Sequence, residues 1–365
     1  MTPYPQLTVR GLRVRAVNVP MARPLHTSGG TIERAPMVLL DLQTEEGVTG
    51  SAYVFCYTPL ALKPVAQLIT NLTTVIKGNS IAPAALQQKL ENRFRLLGPK
   101  GLAAFALGGL DMAAWDALAK AAGLPLVRLL GGEARPIPAY NSNGLGIIGR
   151  ERAAVEAQEL AAPGFRAIKV RLGYPDLATD IEVVGAVKRA VGDETVLMSD
   201  YNQCLSVPEA IKRAQALDHE GLYWIEEPTL ADDFAGHARI RRKAKTAIQI
   251  GENWWGLHDM AKSVAAGASD LVMLDAGRIG GVTGWMRAAG FAAAAGLPLS
   301  SHLFPEVSAH LLAVTPTCHW LEYVDWANPI LQAPLRIQGG CAVISDAPGI
   351  GISWDEAGVG RCLVE

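Results

Sequence analysis

Polar and apolar positions change rhythm near residue 130 of this 365-residue chain. Before that point, LTVRGLRVRAVNVP and MVLLDLQTEEGVTGSAYVF alternate with period two, which predicts β-strands, the second run holding a hairpin turn near TEEG. Helical periodicity follows near 59–77, 84–96 and 100–122, where GLDMAAWDALAKAAG ends at a Gly stop. Strands followed by helices predict an α+β unit. From about residue 137 the β-like runs PIPAY, RAIKV, VLMSD, LYWIE, IQIGE, LVMLD, LPLSSH and WLEYVD alternate with helical stretches such as ERAAVEAQELA, DIEVVGAVKRAV and VPEAIKRAQAL. Eight runs at this spacing favour a parallel (β/α) barrel over an open sheet. Beyond about 330, QGGCAVI and PGIGISW are Gly-rich, do not continue the barrel pattern, and are expected to return to the first unit. The chain thus divides into 1–130, 131–330 and 331–365.

Composition narrows the class. Half the residues are apolar and 19% are charged, so a large core is available and disorder is not expected. A net charge of −2, with scattered Lys and Arg, argues against nucleic acid or an anionic membrane as partner. Five widely spaced cysteines without a CxxC read as reduced thiols. The first residues, MTPYPQLTVRGLRVR, lack the apolar core of a signal peptide, and the apolar stretch at 288–299 is too short to span a bilayer. A soluble, cytoplasmic protein is expected.

The chemistry gathers at the ends of the β runs. Asp200, Glu226 and Glu252 close three successive runs at intervals of 26 residues, the length of one βα unit. At the same ends of neighbouring parallel strands they would gather about three negative charges, which demands a cation. Carboxylates without clustered His or Cys select a hard ion, Mg²⁺ first and Mn²⁺ second. Asn202 follows Asp200 on the same face and is placed to support this shell. Asp275 and His302 end neighbouring runs, an arrangement in which a carboxylate orients an imidazole for general acid–base work. Lys169 and Arg171 share one strand face at i, i+2. Glu322, on the last run, is expected to be protonated and to donate a hydrogen bond to a bound anion. Removing a proton from carbon beside a carboxylate creates a dianionic enediolate, and a divalent cation, a lysine and a neutral acid suit that charge.

Other signals read as structural. GLGIIG at 144–149 satisfies GxGxxG without a nucleotide-binding βαβ unit, so a barrel loop is expected. His26 reads as a polar loop residue, His310 and His319 as packing, Trp254 and Trp255 as rim packing, and Arg278 as equally a site charge or a salt-bridge partner. A zinc hydrolase needs an HxH pair, and none of the seven histidines forms one.

The stretches LRVRAVNVP, GLDMAAWDALAK, DYNQ, YWIEEPTL, GENW, IGGVTGW, SSHLFPEVSAHLLA and HWLE resemble the mandelate racemase subgroup of the enolase superfamily over nearly the whole chain. That resemblance implies an α/β fold in which a modified (β/α) TIM-like barrel lies under an α+β capping domain built from N- and C-terminal segments. It implies metal ligands at Asp200, Glu226 and Glu252, a dyad of Asp275 and His302, a carboxylate-polarising acid at Glu322, and the first lysine of a KxK motif at Lys169. Arg171 stands where the family's racemases carry a second lysine, and guanidinium is a poor base at neutral pH. The resemblance also places Leu25, Ile32, Tyr57, Leu303 and Val324 around an apolar pocket, with Ser142 near the substrate. Ser28, Glu33 and Arg34, on the loop LHTSGGTIERAP, are further candidates for polar contacts. The implied activity is Mg²⁺-dependent α-proton abstraction from a small 2-hydroxy carboxylate. Racemisation or epimerisation is favoured by whole-length similarity and the apolar lining. Dehydration through His302 alone, or a non-catalytic carboxylate-binding barrel, are the alternatives. A homo-oligomer, octameric by analogy, is expected.

Overall fold

The structure is a computed structural model that describes residues 6–364. It opens with an antiparallel meander of β1 (Val9–Thr27), β2 (Gly30–Thr44) and β3 (Thr49–Phe55). A register shift between Pro20 and Leu25 bends the β1–β2 hairpin, after which Leu25 pairs with Ile32 near its tip. Helices Pro59–Ile76, Pro83–Arg93 and Leu102–Ala121 follow. The first begins where sequence chemistry demands, with the Thr58 side chain accepting from Leu60 N and proline at the first turn.

Eight parallel strands then form the barrel: β4 (Ile137–Asn141), β5 (Ala167–Arg171), β6 (Val196–Asp200), β7 (Leu222–Glu226), β8 (Ala247–Ile250), β9 (Leu271–Asp275), β10 (Leu299–His302) and β11 (Leu321–Tyr323). Strands β4 to β10 pair in chain order. The ring closes because β11 pairs with β4, while Leu299 N donates to Thr317 O at 2.8 Å and Ser301 N to Trp320 O at 2.9 Å. Inside, Tyr140 and Trp224 meet edge to face at 5.4 Å, and with Ala167 and Met198 they form a dry floor.

Helix Leu102–Ala121 is apolar on nearly every side because it is enclosed. It is long and apolar enough to cross a membrane, yet it lies mostly buried between the first sheet and the barrel. Small residues permit this. A Cβ on Gly50 of β3 would collide with Ala113 O, and one on Gly108 with Gly277 O beyond β9. Polar contacts fix the seam, since the Asp111 carboxylate accepts from Thr283 N at 2.9 Å and Thr283 Oγ1 at 2.6 Å.

The tail departs in part from expectation. Strands β12 (Arg336–Gln338) and β13 (Cys341–Val343) form a hairpin that pairs antiparallel with the start of β4, so this segment does extend the barrel sheet. Three-residue strands with Gly339 and Gly340 between them carry too little periodicity to be read. The chain then reaches the first sheet: Trp354 Nε1 donates to Asp41 at 2.7 Å, Arg15 pairs with Glu356 at 2.7 Å, and Leu363 bridges Val17.

Two outcomes test the seam. Gly108→Ala forces the helix off Gly277 and should cost about 1–3 kcal/mol, measured as a lower urea midpoint. Burial pushes the Asp111 carboxyl up to about 7, against the hydrogen bonds from Thr283. The folded state therefore holds this proton more tightly than the unfolded chain, and stability falls as pH rises from about 4 to about 7. In urea titrations across that window, Asp111→Asn should lose this part of the slope.

Candidate active site

Parallel pairing brings the ionisable strand ends to one mouth of the barrel. Arg171 is in register with Asp200, Asp200 with Glu226, and Asp275 with His302. Glu252 differs from expectation. Strand β8 stops at Ile250, and Glu252 sits in the turn beyond Gly251, whose φ of 132° lets the backbone fold against Met273 O.

Asp200, Glu226 and Glu252 each offer one oxygen within 4.8 Å of the others, and all three are buried. Their orientation is enforced. Asn202 donates through its backbone N–H and Nδ2 to the two oxygens of Asp200, at 2.8 and 3.0 Å. Trp224 Nε1 donates to Glu226 at 3.1 Å, and Asn253 Nδ2 bridges Glu252 and both oxygens of Glu227. Burial, offset by Lys169 and reinforced by Asp200 and Glu252, pushes the Glu226 carboxyl well above its ordinary range. A buried all-oxygen set with surplus negative charge fits a hard divalent cation.

Lys169, fully enclosed, reaches Glu226 at 2.7 Å, Glu322 at 2.9 Å and Asp200 at 3.2 Å. Burial opposes its charge, but Glu226 and Glu322 hold the ammonium well above its ordinary range. Burial pushes the Glu322 carboxyl up, yet Lys169, His302 and the Leu303 N–H together hold it well below the carboxylate range. A neutral donor is the state expected of it beside a bound anion; with these three partners alone the direction is the opposite.

His302 Nδ1 lies 2.9 Å from Asp275, leaving Nε2 toward Glu252 (3.5 Å) and Glu322 (3.8 Å). Burial disfavours the imidazolium, but Glu252, Glu322 and Asp275 raise its pKa to about 9. Tyr57 donates to the same Asp275 oxygen at 3.2 Å, and Arg278 N holds the other oxygen at 3.0 Å.

Arg171 is held through both terminal nitrogens, while its buried Nε has no partner. Its Nη1 donates to Ser142 O and Gly144 O, both at 2.8 Å, and its Nη2 to Ser142 Oγ at 2.8 Å. Ser142 Oγ in turn donates to Glu322 at 2.7 Å.

A cavity of about 200 Å³ opens above these groups. Of the residues read from sequence, Leu25, Ile32, Tyr57, Asn202 and Leu303 line it, with Arg278 and the catalytic candidates Lys169, Arg171, His302 and Glu322. Ser142 does not; it is buried behind Arg171 and Glu322. Val324 faces a separate small cavity beside Met37, Tyr53 and Phe304, because the chain turns away after β11. Ser28, Glu33 and Arg34 are also absent from the lining, and Arg34 is spent on Asn18 O. His310 accepts from Val127 N, and His319 bonds Tyr223 and Ser300, both as packing groups. Sequence reading missed Thr27, Phe55, Gln203, Asn253 and Trp326 in the lining, and the buried Glu227. Glu227 left a signal as the second acid of LYWIEEP, and Gln203 and Asn253 lie within the stretches DYNQ and GENW. GLGIIG proves to be a docking strap: Ile147 N donates to His26 O at 2.8 Å, and a Cβ on Gly146 would collide with that carbonyl.

Comparisons with known proteins agree with this architecture. Residues 9–131 match the mandelate racemase / muconate lactonizing enzyme N-terminal domain, and residues 152–358 match the enolase C-terminal domain-like family. An L-talarate/galactarate dehydratase of Salmonella typhimurium is 36% identical over 262 residues, covering 71% of this chain and 66% of that protein. A 3,6-anhydro-alpha-L-galactonate cycloisomerase of Streptomyces coelicolor is 30% identical over 98% of this chain and 99% of its own. An enolase from Bradyrhizobium, crystallised with magnesium and mandelic acid, is 43% identical over the full length of both chains, with a TM-score of 0.95. With both of its domains matched and its strand-end acids gathered at one barrel mouth, the chain belongs to the mandelate racemase/muconate lactonizing enzyme family of the enolase superfamily.

Proposed function

We propose that this chain removes the α-proton of a small 2-hydroxy carboxylate with His302 as its one base, and then expels a β-hydroxyl as water. The observation that carries the reading is Arg171. A racemase needs proton-transfer groups on both faces of the α-carbon, and the group in the second-lysine position is a guanidinium tied by three hydrogen bonds to Ser142 and Gly144. His302 has the opposite character. Asp275 fixes Nδ1 as the protonated nitrogen, and Nε2 is left to exchange a proton at the cavity.

Asp200, Glu226 and Glu252 would hold Mg²⁺, with Mn²⁺ as second choice, and that ion supplies Lewis-acid stabilisation to a substrate carboxylate when bound. Lys169 adds a fixed positive charge, held in place by Glu322. Asp275 is saturated by His302, Tyr57 and Arg278 N, so it orients the imidazole without taking its proton. In the overall reaction, His302 takes the α-proton and returns it to the departing β-hydroxyl. Water leaves and the resulting enol becomes a 2-keto acid, without oxidant or reductant.

Racemisation or epimerisation is the second reading. It is favoured by the apolar wall of Leu25, Ile32, Phe55 and Leu303 and by the mandelic acid bound to the Bradyrhizobium relative. A panel of 2,3-dihydroxy and aryl 2-hydroxy acids separates the two. Release of a 2-keto acid supports dehydration; inversion of the α-centre with no keto acid overturns it.

His302→Asn should lower α-proton exchange in D₂O by about 10²–10⁴-fold. Full exchange in that variant would sink the assignment of the base. Mg²⁺ at 100 times its Kd should stabilise the protein by about 2.7 kcal/mol. The same titration should leave the melting temperature of Glu252→Gln little changed.

A further inference from the structure

Arg278 is a cation without a partner. Its residue is 7% exposed, yet no carboxylate oxygen among the described residues lies within salt-bridge distance, and the side chain makes no hydrogen bond. Its Nε is fully buried and unpaired. Aromatic rings hold it instead: the guanidinium carbon lies 4.3 Å from the centre of Tyr57, 5.2 Å from Trp255 and 5.6 Å from Phe105. An N–H enclosed without an acceptor is costly, and ring contacts satisfy the face of the guanidinium but not its donors.

Arg278 lines the cavity. Arg278 follows β9, four strands around the eight-stranded ring from Lys169 on β5, so the two cations stand on opposite sides of the barrel mouth. A substrate whose reacting carboxylate lies toward Lys169 and the acid cluster extends its far end toward Arg278. A planar fork held by rings, with no hydrogen-bond partner for its donors among the described residues, matches a carboxylate in bidentate geometry. Burial opposes the charge of the guanidinium, but Tyr57, Asp275, Glu252 and Glu227 together hold it above its ordinary range.

We propose that Arg278 is a specificity-determining residue that receives a second carboxylate at the distal end of the substrate, so that the preferred acids are 2-hydroxy dicarboxylates. This rests on the proton-abstraction reading for its orientation of the substrate, but its test is separable. Malate and 2-hydroxybutyrate share the α-centre and chain length and differ in a terminal carboxylate against a methyl.

Calorimetric titration of the Mg²⁺-loaded protein should show malate binding about tenfold or more tighter than 2-hydroxybutyrate. In Arg278→Met the ratio should fall to about one, chiefly through weaker malate binding. Arg278→Lys, which keeps the charge and loses the fork, should retain an intermediate preference. A ratio near one in the unmodified protein, no malate binding at millimolar concentration, or equal weakening of both acids in the variants overturns the proposal. If Arg278→Met does not fold, the unmodified protein and the Lys variant decide the matter. D₂O exchange with the same two acids reports separately on proton abstraction. Its absence with both would overturn that reading while leaving the binding ratio to judge Arg278.

Discussion

One ammonium meets carboxylates from three different strands: Lys169 lies within 3.2 Å of Asp200 on β6, Glu226 on β7 and Glu322 on β11. These acids are enclosed, and buried like charges repel strongly at such range. The rest of the site is arranged around that crowding. The floor of Tyr140 and Trp224 keeps water out from below, while Asn202, Asn253 and Trp224 Nε1 supply neutral donors that hold each acid without discharging it. The surplus that Lys169 leaves uncompensated is what suits the cluster to a divalent ion.

The dyad depends on the first sheet as much as on the barrel. Tyr57 follows β3 and donates to Asp275, and helix Leu102–Ala121 presses Gly108 against Gly277, two residues beyond that aspartate. The His302–Asp275 pair is therefore positioned by elements distant in sequence, and a small residue on an apolar helix becomes part of its support.

Much of the fold was legible because every barrel strand ends a short apolar run, and the 26-residue interval of three acids marks equivalent places in a repeat. Reading failed where three-dimensional closeness decides. Nothing in the run IQIGE shows that the strand stops at Ile250 and leaves Glu252 to a turn. Val324 was misplaced because the chain turns away after only three residues of β11. The charge state of Glu322 depends on Lys169, His302 and Leu303 N–H, which come from two other strands and a loop. Arg278 was ambiguous for the same reason, since its rings come from three separate segments.

The strap at 144–149 gives Arg171 a second meaning. The guanidinium grips Gly144 O, the Arg171 N–H donates to Leu145 O, and two residues later Ile147 N holds the His26 carbonyl of the β1–β2 hairpin. Leu25 and Ile32 of that hairpin form part of the cavity wall. The side chain that stands in the second-lysine position is thus mortar between the entrance and the barrel. A lysine at this position has one terminal nitrogen and could not keep the guanidinium's three bonds to Ser142 and Gly144 while remaining free to act as a base. In this chain, a second base and a fastened doorway are competing uses of one position.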